Sequence, residues 1–276
     1  MSRLVWDAIG ERTYETGTKK GVLYPQDGTS YPKGVVWNGL TAVTNSPEGA
    51  EANALYADDI KYLNLRSAEN FKATIEAYTY PEEFAECDGS AWVATGVKIG
   101  QQSRKPFGFS YVTTIGNDVE FEDHGYIIHL VWGATAAPSE KAYQTINDSP
   151  EAITFSWEID TIPVEIGTVT VDGVAQTFKP AAHMEIDSTK VDPALLKSFE
   201  DIIYGSASGT AYLPLPAAVI AHFGSGAATY TYTKVTPVGT ENPMEEEWYV
   251  RSGNEFVKST DSEIVEGTVY YERTAE

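Results

Sequence analysis

In this 276-residue sequence, the best candidate for a chemical site is a cluster of acidic side chains. Asp118, Glu120, Glu122 and Asp123 lie within ten residues between two glycines, and several carboxylates on one loop are the ligands that Ca²⁺ prefers. No glycine stands among the acids, where a calcium-binding turn needs one. We therefore favour a solvated hairpin turn over a calcium site.

The histidines and the single cysteine show no catalytic or metal-ligand spacing. Cys87 lies between Glu86 and Asp88, and acidic neighbours raise the pKa of a thiol and suppress its reactivity. A phosphate-binding loop and a serine nucleophile turn are both missing. The sequence thus predicts no enzyme, no catalytic residue, no cofactor and no metal site, with packing or surface roles for His124, His129, His183 and His222.

The charge balance limits the partners. Nineteen Lys and Arg stand against forty Asp and Glu, a formal net charge of −21. Proteins that bind nucleic acid or anionic membranes use clusters of Lys and Arg. This sequence has no such cluster. Without a signal-like start or an 18-residue apolar run, we expect a soluble protein made in a cytoplasm, with no membrane partner.

The local residue patterns predict a mainly β fold, so strands and their connections would position any site. Short aromatic and β-branched runs alternate with Gly, Pro, Asn and Asp, as strands alternate with turns. In residues 152–160, apolar and polar side chains alternate, which predicts a strand with one buried and one wet face. Further strands are predicted at 35–43, 71–80, 107–114, 126–131, 168–171 and 177–178.

One helix is well marked, and two domains are indicated. Asp192 and Pro193 are typical of a helix start and Gly205 of its end, so we predict a helix over 193–204. The sequence around Gly224–Ala228 has linker composition. We expect one domain over residues 1–224 and a small β-module over 228–276.

A long acidic and small-residue segment, Asn45–Asp59, is predicted to be a loop. At about 14 residues it exceeds ordinary connections, and such loops are usually functional. Its candidate contact residues are Asn45, Pro47, Glu48, Leu55, Tyr56, Asp58 and Asp59.

Eight runs of the sequence follow one known pattern in their order and spacing over about residues 1–224. They are Trp37–Glu51, Leu55–Leu63, Thr74–Phe84, Asp123–Val131, Pro138–Tyr143, Asn147–Trp157, Asp192–Lys197 and Leu213–Pro216. Together these runs resemble the major tail proteins of long-tailed, non-contractile (siphovirus-type) bacteriophages. Residues 228–276 fall outside this pattern and resemble small β-modules appended to assorted phage proteins.

The resemblance implies a tail-tube protein with a two-sheet β-sandwich and one flanking helix. It implies hexameric rings that stack into a tube in the virion, assembled in the host cytoplasm, through which the genome leaves. It further implies partners among the tape measure, tail terminator and distal tail proteins.

Three hypotheses follow from that resemblance. The Asn45–Asp59 loop would reach a neighbouring subunit or ring, with Leu55 and Tyr56 as anchors. Glu158 and Asp160 would face the lumen, where acids repel passing DNA without binding it. The C-terminal module would lie on the tube exterior, so that removing residues 226–276 should leave assembly intact.

Two other readings remain open at this stage. A carbohydrate-binding β-sandwich of a host-recognition device would use some of the six tryptophans. We expect Trp6, Trp37, Trp132 and Trp157 to pack in a core or interface instead. A glycoside hydrolase would need a placed pair of carboxylates, and no such pair is evident.

Overall fold

The computed structural model describes residues 4–49, 51–146, 148, 151–171, 173–207 and 209–224, together with the backbone of four C-terminal strands. The residue contacts fall into two compact units, Met1–Gly224 and Ser225–Glu276. Each unit is described by itself.

The first unit is mainly β, with three helices in its described part. The helices are α1 (Phe84–Cys87), α2 (Pro193–Ile203) and α3 (Pro216–Gly224). The strands are β1 (Tyr14–Pro25), β2 (Val35–Trp37), β3 (Leu40–Asn45), β4 (Glu48–Gly49), β5 (Ala52–Ala57), β6 (Ile60–Arg66), β7 (Glu69–Asn70), β8 (Lys72–Ala77), β9 (Ala91–Ala94), β10 (Val97–Ile99), β11 (Phe107–Asn117), β12 (Phe121–Ala136), β13 (Phe155–Thr161), β14 (Gly167–Val171), β15 (Val174–Phe178) and β16 (His183–Asp187).

Eight of these strands form one antiparallel sheet in the order β2-β1-β11-β12-β13-β8-β3, with β16 also paired to β12. The long strand β12 pairs with β16 through Ile127–Val131 and with β13 through Ala134–Ala136. Gly133 lies between these two stretches with a φ of 62°, and a Cβ there would lie 2.3 Å from the Ile162 carbonyl oxygen. A side chain at this position is therefore excluded both by the backbone conformation and by the close approach of the next strand.

The sheet folds over so that its two ends face one another around an aromatic core. Trp37 in β2 and Trp157 in β13 lie with ring centroids 5.6 Å apart, although three strands separate β2 from β13 in the ladder. Phe84 of α1 packs on both, and Tyr111 of β11 donates a hydrogen bond across to Asn45 at the end of β3. The sandwich-type fold is thus made by one continuous ladder rather than by the two separate sheets that we expected.

Helices α2 and α3 cover the opposite face of the β1–β11–β12 region. Leu196, Phe199 and Ile203 of α2 are buried against Val112, Ile128 and Leu130. The predicted helix start is confirmed, because the Asp192 side chain accepts hydrogen bonds from the backbone N–H groups of Ala194 and Leu195. The helix ends at Ile203 with Tyr204 as its C-cap, and Gly205 follows with a φ of 85°.

The structure confirms the central strand and changes other boundaries. Residues 127–132 of β12 are all buried, as the apolar run predicts. The predicted strand 35–43 is divided into β2 and β3, because Gly39 adopts a φ of 75°. The polar composition of β1 and β16 hid both strands from the sequence pattern, although each pairs with a central strand.

The second unit contains β17 (Tyr230–Val235), β18 (Trp248–Ser252), β19 (Glu255–Lys258) and β20 (Tyr270–Ala275). They form an antiparallel sheet in the order β17-β20-β18-β19. Among the described residues of the whole chain, no helix combines the length and the apolar character needed to cross a membrane.

Candidate assembly surfaces

The segment predicted as the Asn45–Asp59 loop is instead one side of a β-hairpin, which we call the arm (residues 48–70, β4 to β7). The arm continues the β3–β8 ladder outward, since the Ser46 N–H donates to the Lys72 carbonyl and Glu48 then pairs with Asn70. Asp58 and Asp59 form its tip with φ values of 52° and 61°. Two left-handed residues in succession make the tight turn that matches the twist of a hairpin.

The register of the ladder carries an apolar face out along the arm. The pairs Val43–Ile75, Asn53–Leu65 and Leu55–Leu63 follow one unbroken register. Because side chains alternate along a strand and the register is unchanged, we infer that Leu55, Leu63 and Leu65 lie on the same face as the core residue Ile75 and the partly buried Val43. All three leucines are exposed, so the arm extends a core-type face beyond its own core.

The other arm residues predicted from the sequence have separate surroundings. Glu48 forms an ion pair of 2.7 Å with Lys72. Tyr56 is 72% exposed, next to the register shift that follows Leu55. Asn45 belongs to the sandwich, because its side chain accepts a hydrogen bond from the Tyr111 hydroxyl. Pro47 lies exposed at the junction between β3 and β4.

Sequence reasoning missed the return strand of the arm. Residues Lys61–Arg66 alternate polar and apolar side chains beyond Tyr62, which is a strand signal. Ile60, Tyr62, Leu63 and Leu65 are all exposed there. The arm therefore carries six exposed large apolar side chains, counting Leu55 and Tyr56 on β5.

An acidic surface lies on the uncovered face of β13 and β8. Trp157 and Ile159 are buried while Glu158 and Asp160 are exposed, which confirms the predicted alternation. Asp160 lies opposite Lys72 and Glu158 opposite Thr74. The hydrogen bond from Lys72 to Glu48, reinforced by the charges of Glu48, Asp160 and Glu158, raises the pKa of Lys72.

Several strand edges in the described part of the chain have one partner only. Strand β16 pairs with β12 alone, and β5 and β6 pair only with each other. An unpaired edge presents free N–H and C=O groups to another chain. A lone two-stranded hairpin is also marginally stable in water, so the arm has a physical reason to acquire a partner.

The remaining sequence candidates have structural explanations. Cys87 is buried, and burial together with Glu86 raises its pKa to about 12. Asp118 and Glu120 lie in the β11–β12 turn, where Glu120 pairs with His124 and Asp118 with Arg12, and Glu122 and Asp123 lie at the start of β12. This supports the hairpin-turn reading over a calcium loop.

The tryptophans divide into buried and exposed sets. Trp37, Trp132 and Trp157 are fully buried, so their predicted packing role is confirmed and their rings offer no face to a sugar. Trp6 is 73% exposed and lies outside the strands. It stands beside Leu4, Val5 and Ile9, which are also exposed.

Folding brings together one group of three metal-ligand side chains within the described residues: His129, His183 and Glu185. The spacing of the histidines along the chain gave no indication of this group. The sequence did contain one local signal of this group. His183 and Glu185 are two residues apart, so on a strand their side chains share a face. Their proximity to His129 depends on the pairing of β16 with β12.

No family model matches the chain, and no curated protein matches it significantly. Among solved structures, it is similar to a chain of the six-fold symmetrised cryo-EM structure of the anti-feeding prophage (AFP) baseplate. That alignment has 8% identity and a TM-score of 0.33, and covers 68% of this chain and all of the other. A second similar chain belongs to the sheath–tube complex of the extracellular contractile injection system PVC in its extended state, with 12% identity, a TM-score of 0.25 and coverage of 63% and 95%.

Proposed function

We propose that this chain is a structural protein of a phage tail and not an enzyme, and that copies of it stack as rings, each of six subunits, to form the tail tube. The arm carries this proposal. Its apolar face extends beyond the sandwich core. Within the described part of the chain, Leu55, Leu63 and Leu65 on that face stay exposed. A second copy of the chain is the partner that the residue pattern of the major tail proteins implies.

Ring formation would bury the arm and pair the open strand edges. Burying apolar surface stabilises an assembly by roughly 25 cal/mol per Å², and edge pairing would satisfy free backbone groups. The other partners in this proposal are further tail proteins of the same virion, and the C-terminal module lies on the outside of the tube.

Negative-stain electron microscopy of the concentrated full-length protein tests the proposal. Rings or tubes of uniform diameter are expected, and size-exclusion chromatography should show species much larger than a monomer. A protein that stays monomeric at high concentration, and binds glycans in that state, would support the carbohydrate-binding alternative instead.

The acidic surface of β13 and β8 leads to a second prediction, which concerns the inner wall of the proposed tube. If Glu158 and Asp160 line it, DNA passes without being held, because like charges repel within about 8–10 Å at physiological salt. The double variant Glu158→Lys and Asp160→Lys should still assemble but should retain short double-stranded DNA at low salt in a filter-binding assay.

A matched control places the same charge change in the β11–β12 hairpin. Glu122→Lys and Asp123→Lys alter two exposed acids there and should leave DNA retention at the wild-type level. Equal retention by both double variants would argue against a lumenal position for Glu158 and Asp160.

A further inference from the structure

Strand pairing places two histidines and a glutamate on one surface of β12 and β16. His129 stands directly opposite Glu185. His183 stands opposite Val131, two residues further along the strands and so on the same face. Directly opposed side chains on neighbouring antiparallel strands are within contact distance. The three functional groups therefore converge, although 54 residues separate His129 from His183 in the sequence.

The distances between the polar atoms suit a shared cation. His129 Nδ1 lies 3.4 Å from Glu185 Oε1, and His183 Nε2 lies 3.9 Å from the same oxygen. All three ligand atoms lie within 4.8 Å of one another. In a tetrahedral site with metal–nitrogen bonds of about 2.0–2.1 Å, neighbouring ligand atoms are about 3.4 Å apart.

The two nitrogens that face Glu185 are buried and lack a hydrogen-bond partner. These atoms are His129 Nδ1 and His183 Nε2, and the His129 residue is 95% buried, being 5% exposed. Buried polar atoms in folded proteins are normally satisfied by protein, water or an ion. A bound metal ion would satisfy both nitrogens at once.

Both imidazoles are affected by their burial. Burial, and the proximity of His183, lower the pKa of His129 to about 4. Burial also lowers the pKa of His183, against the opposing effect of Glu185.

Neighbouring groups hold the rings in place. The Thr113 hydroxyl lies 2.9 Å from His129 Nε2. In the tautomer whose Nε2–H donates to this hydroxyl, the lone pair lies on Nδ1, towards Glu185. Metal-bound histidines are commonly oriented by such a hydrogen bond on their other nitrogen. Tyr111 stacks on His129 and Phe71 stacks on His183, each with a centroid distance of 4.4 Å.

A cavity of about 670 Å³ reaches the group at Glu185. Glu15 and Asp187 line it together with Glu185, and Lys190 is the one cation among its lining residues. Lys190 is engaged by Asp187 at 2.7 Å. The surplus of carboxylates favours the entry of a cation over that of an anion.

We propose that His129, His183 and Glu185 bind a divalent transition-metal ion, with Zn²⁺ as the best match. Two imidazoles and one carboxylate are ligands that Zn²⁺ accepts, and three protein ligands leave a position for water. Ca²⁺ and Mg²⁺ prefer sets made of oxygen alone. The ion would fasten β16, which has no other strand partner in the described sheet, to β12.

Titration of the chelator-treated full-length protein tests this site. Zn²⁺ measured by isothermal calorimetry should bind saturably at about one ion per chain, and Co²⁺ should give the visible absorption of a nitrogen-ligated site. Bound ion should also raise the melting temperature, because it binds the folded state. Glu185→Gln and His183→Phe should lose saturable binding, and the phenylalanine preserves the ring stack on Phe71.

Two further variants separate the ligands from general effects. His124→Gln changes a histidine that pairs with Glu120 outside the group and should bind Zn²⁺ like the wild type. Thr113→Val should weaken binding about 10–100-fold by removing a positioning hydrogen bond, and Thr113→Ser should restore it. Failure of the wild type to bind Zn²⁺ or Co²⁺ saturably, or undiminished binding by folded Glu185→Gln and His183→Phe, would overturn the proposal.

Discussion

Replacing residues 48–70 with an Asn-Gly turn is expected to abolish ring and tube formation while the sandwich still folds. Pro47 and Phe71 are opposite positions in the continuing register, so a two-residue turn can close the shortened hairpin. The deletion removes the face formed by Leu55, Leu63 and Leu65 and leaves Val43 and Ile75 in the core. Negative-stain microscopy and circular dichroism of the same sample measure assembly and folding separately.

A less drastic pair of variants checks that the apolar face, and not chain length, is responsible. Leu63→Asp with Leu65→Asp should block assembly, because charged groups at a buried interface are strongly unfavourable when unpaired. Val119→Asp changes another exposed apolar side chain, in the β11–β12 turn, and should assemble normally. Normal tubes from the armless protein would contradict the proposed role of the arm.

Trp157→Ala is expected to lower the free energy of unfolding of the first unit by about 3–5 kcal/mol, the usual range for removing a large core aromatic side chain. Its ring is fully buried and packs on Trp37, Tyr80 and Phe84. The indole N–H also donates to Asp88 at 3.2 Å. Urea denaturation followed by circular dichroism measures the change.

The surroundings of Asp88 explain why this position is sensitive. The Asp88 carboxylate is almost fully buried, and Lys141 contacts it at 2.6 Å with Arg104 at 3.9 Å. Losing the indole would remove one of its hydrogen-bond donors as well as leaving a cavity. Trp92→Ala is the matched control, since this ring is 47% exposed on β9, and it should change stability by about 0.5 kcal/mol or less. Similar unfolding midpoints for the two variants would contradict the central place of Trp157 in the core.

The sequence was sufficient wherever a structural signal is local. The alternation in β13 depends only on which residues are apolar, so it predicted that Trp157 is buried and that Glu158 is exposed. The start of α2 was predictable because Asp192 caps backbone groups two and three residues away. Apolar residues on successive positions similarly marked the buried part of β12.

The sequence was insufficient where structure depends on pairing between distant segments. Strand β5 has only two large apolar side chains, Leu55 and Tyr56, and its hairpin continues the register that β3 and β8 establish. Composition alone therefore predicted a loop there. Strand β1, rich in Gly, Lys and Thr, is likewise a strand because β11 pairs along it.

By itself the sequence determined the β class, the capped helix and the excess of acidic residues. Only the tertiary structure decided that one folded ladder makes the sandwich, that the arm presents leucines on a single face, and that His129 meets His183 and Glu185. The physical reason is that side-chain alternation is encoded within one strand, whereas the face that a strand shares with another is set by hydrogen-bond register across the sheet.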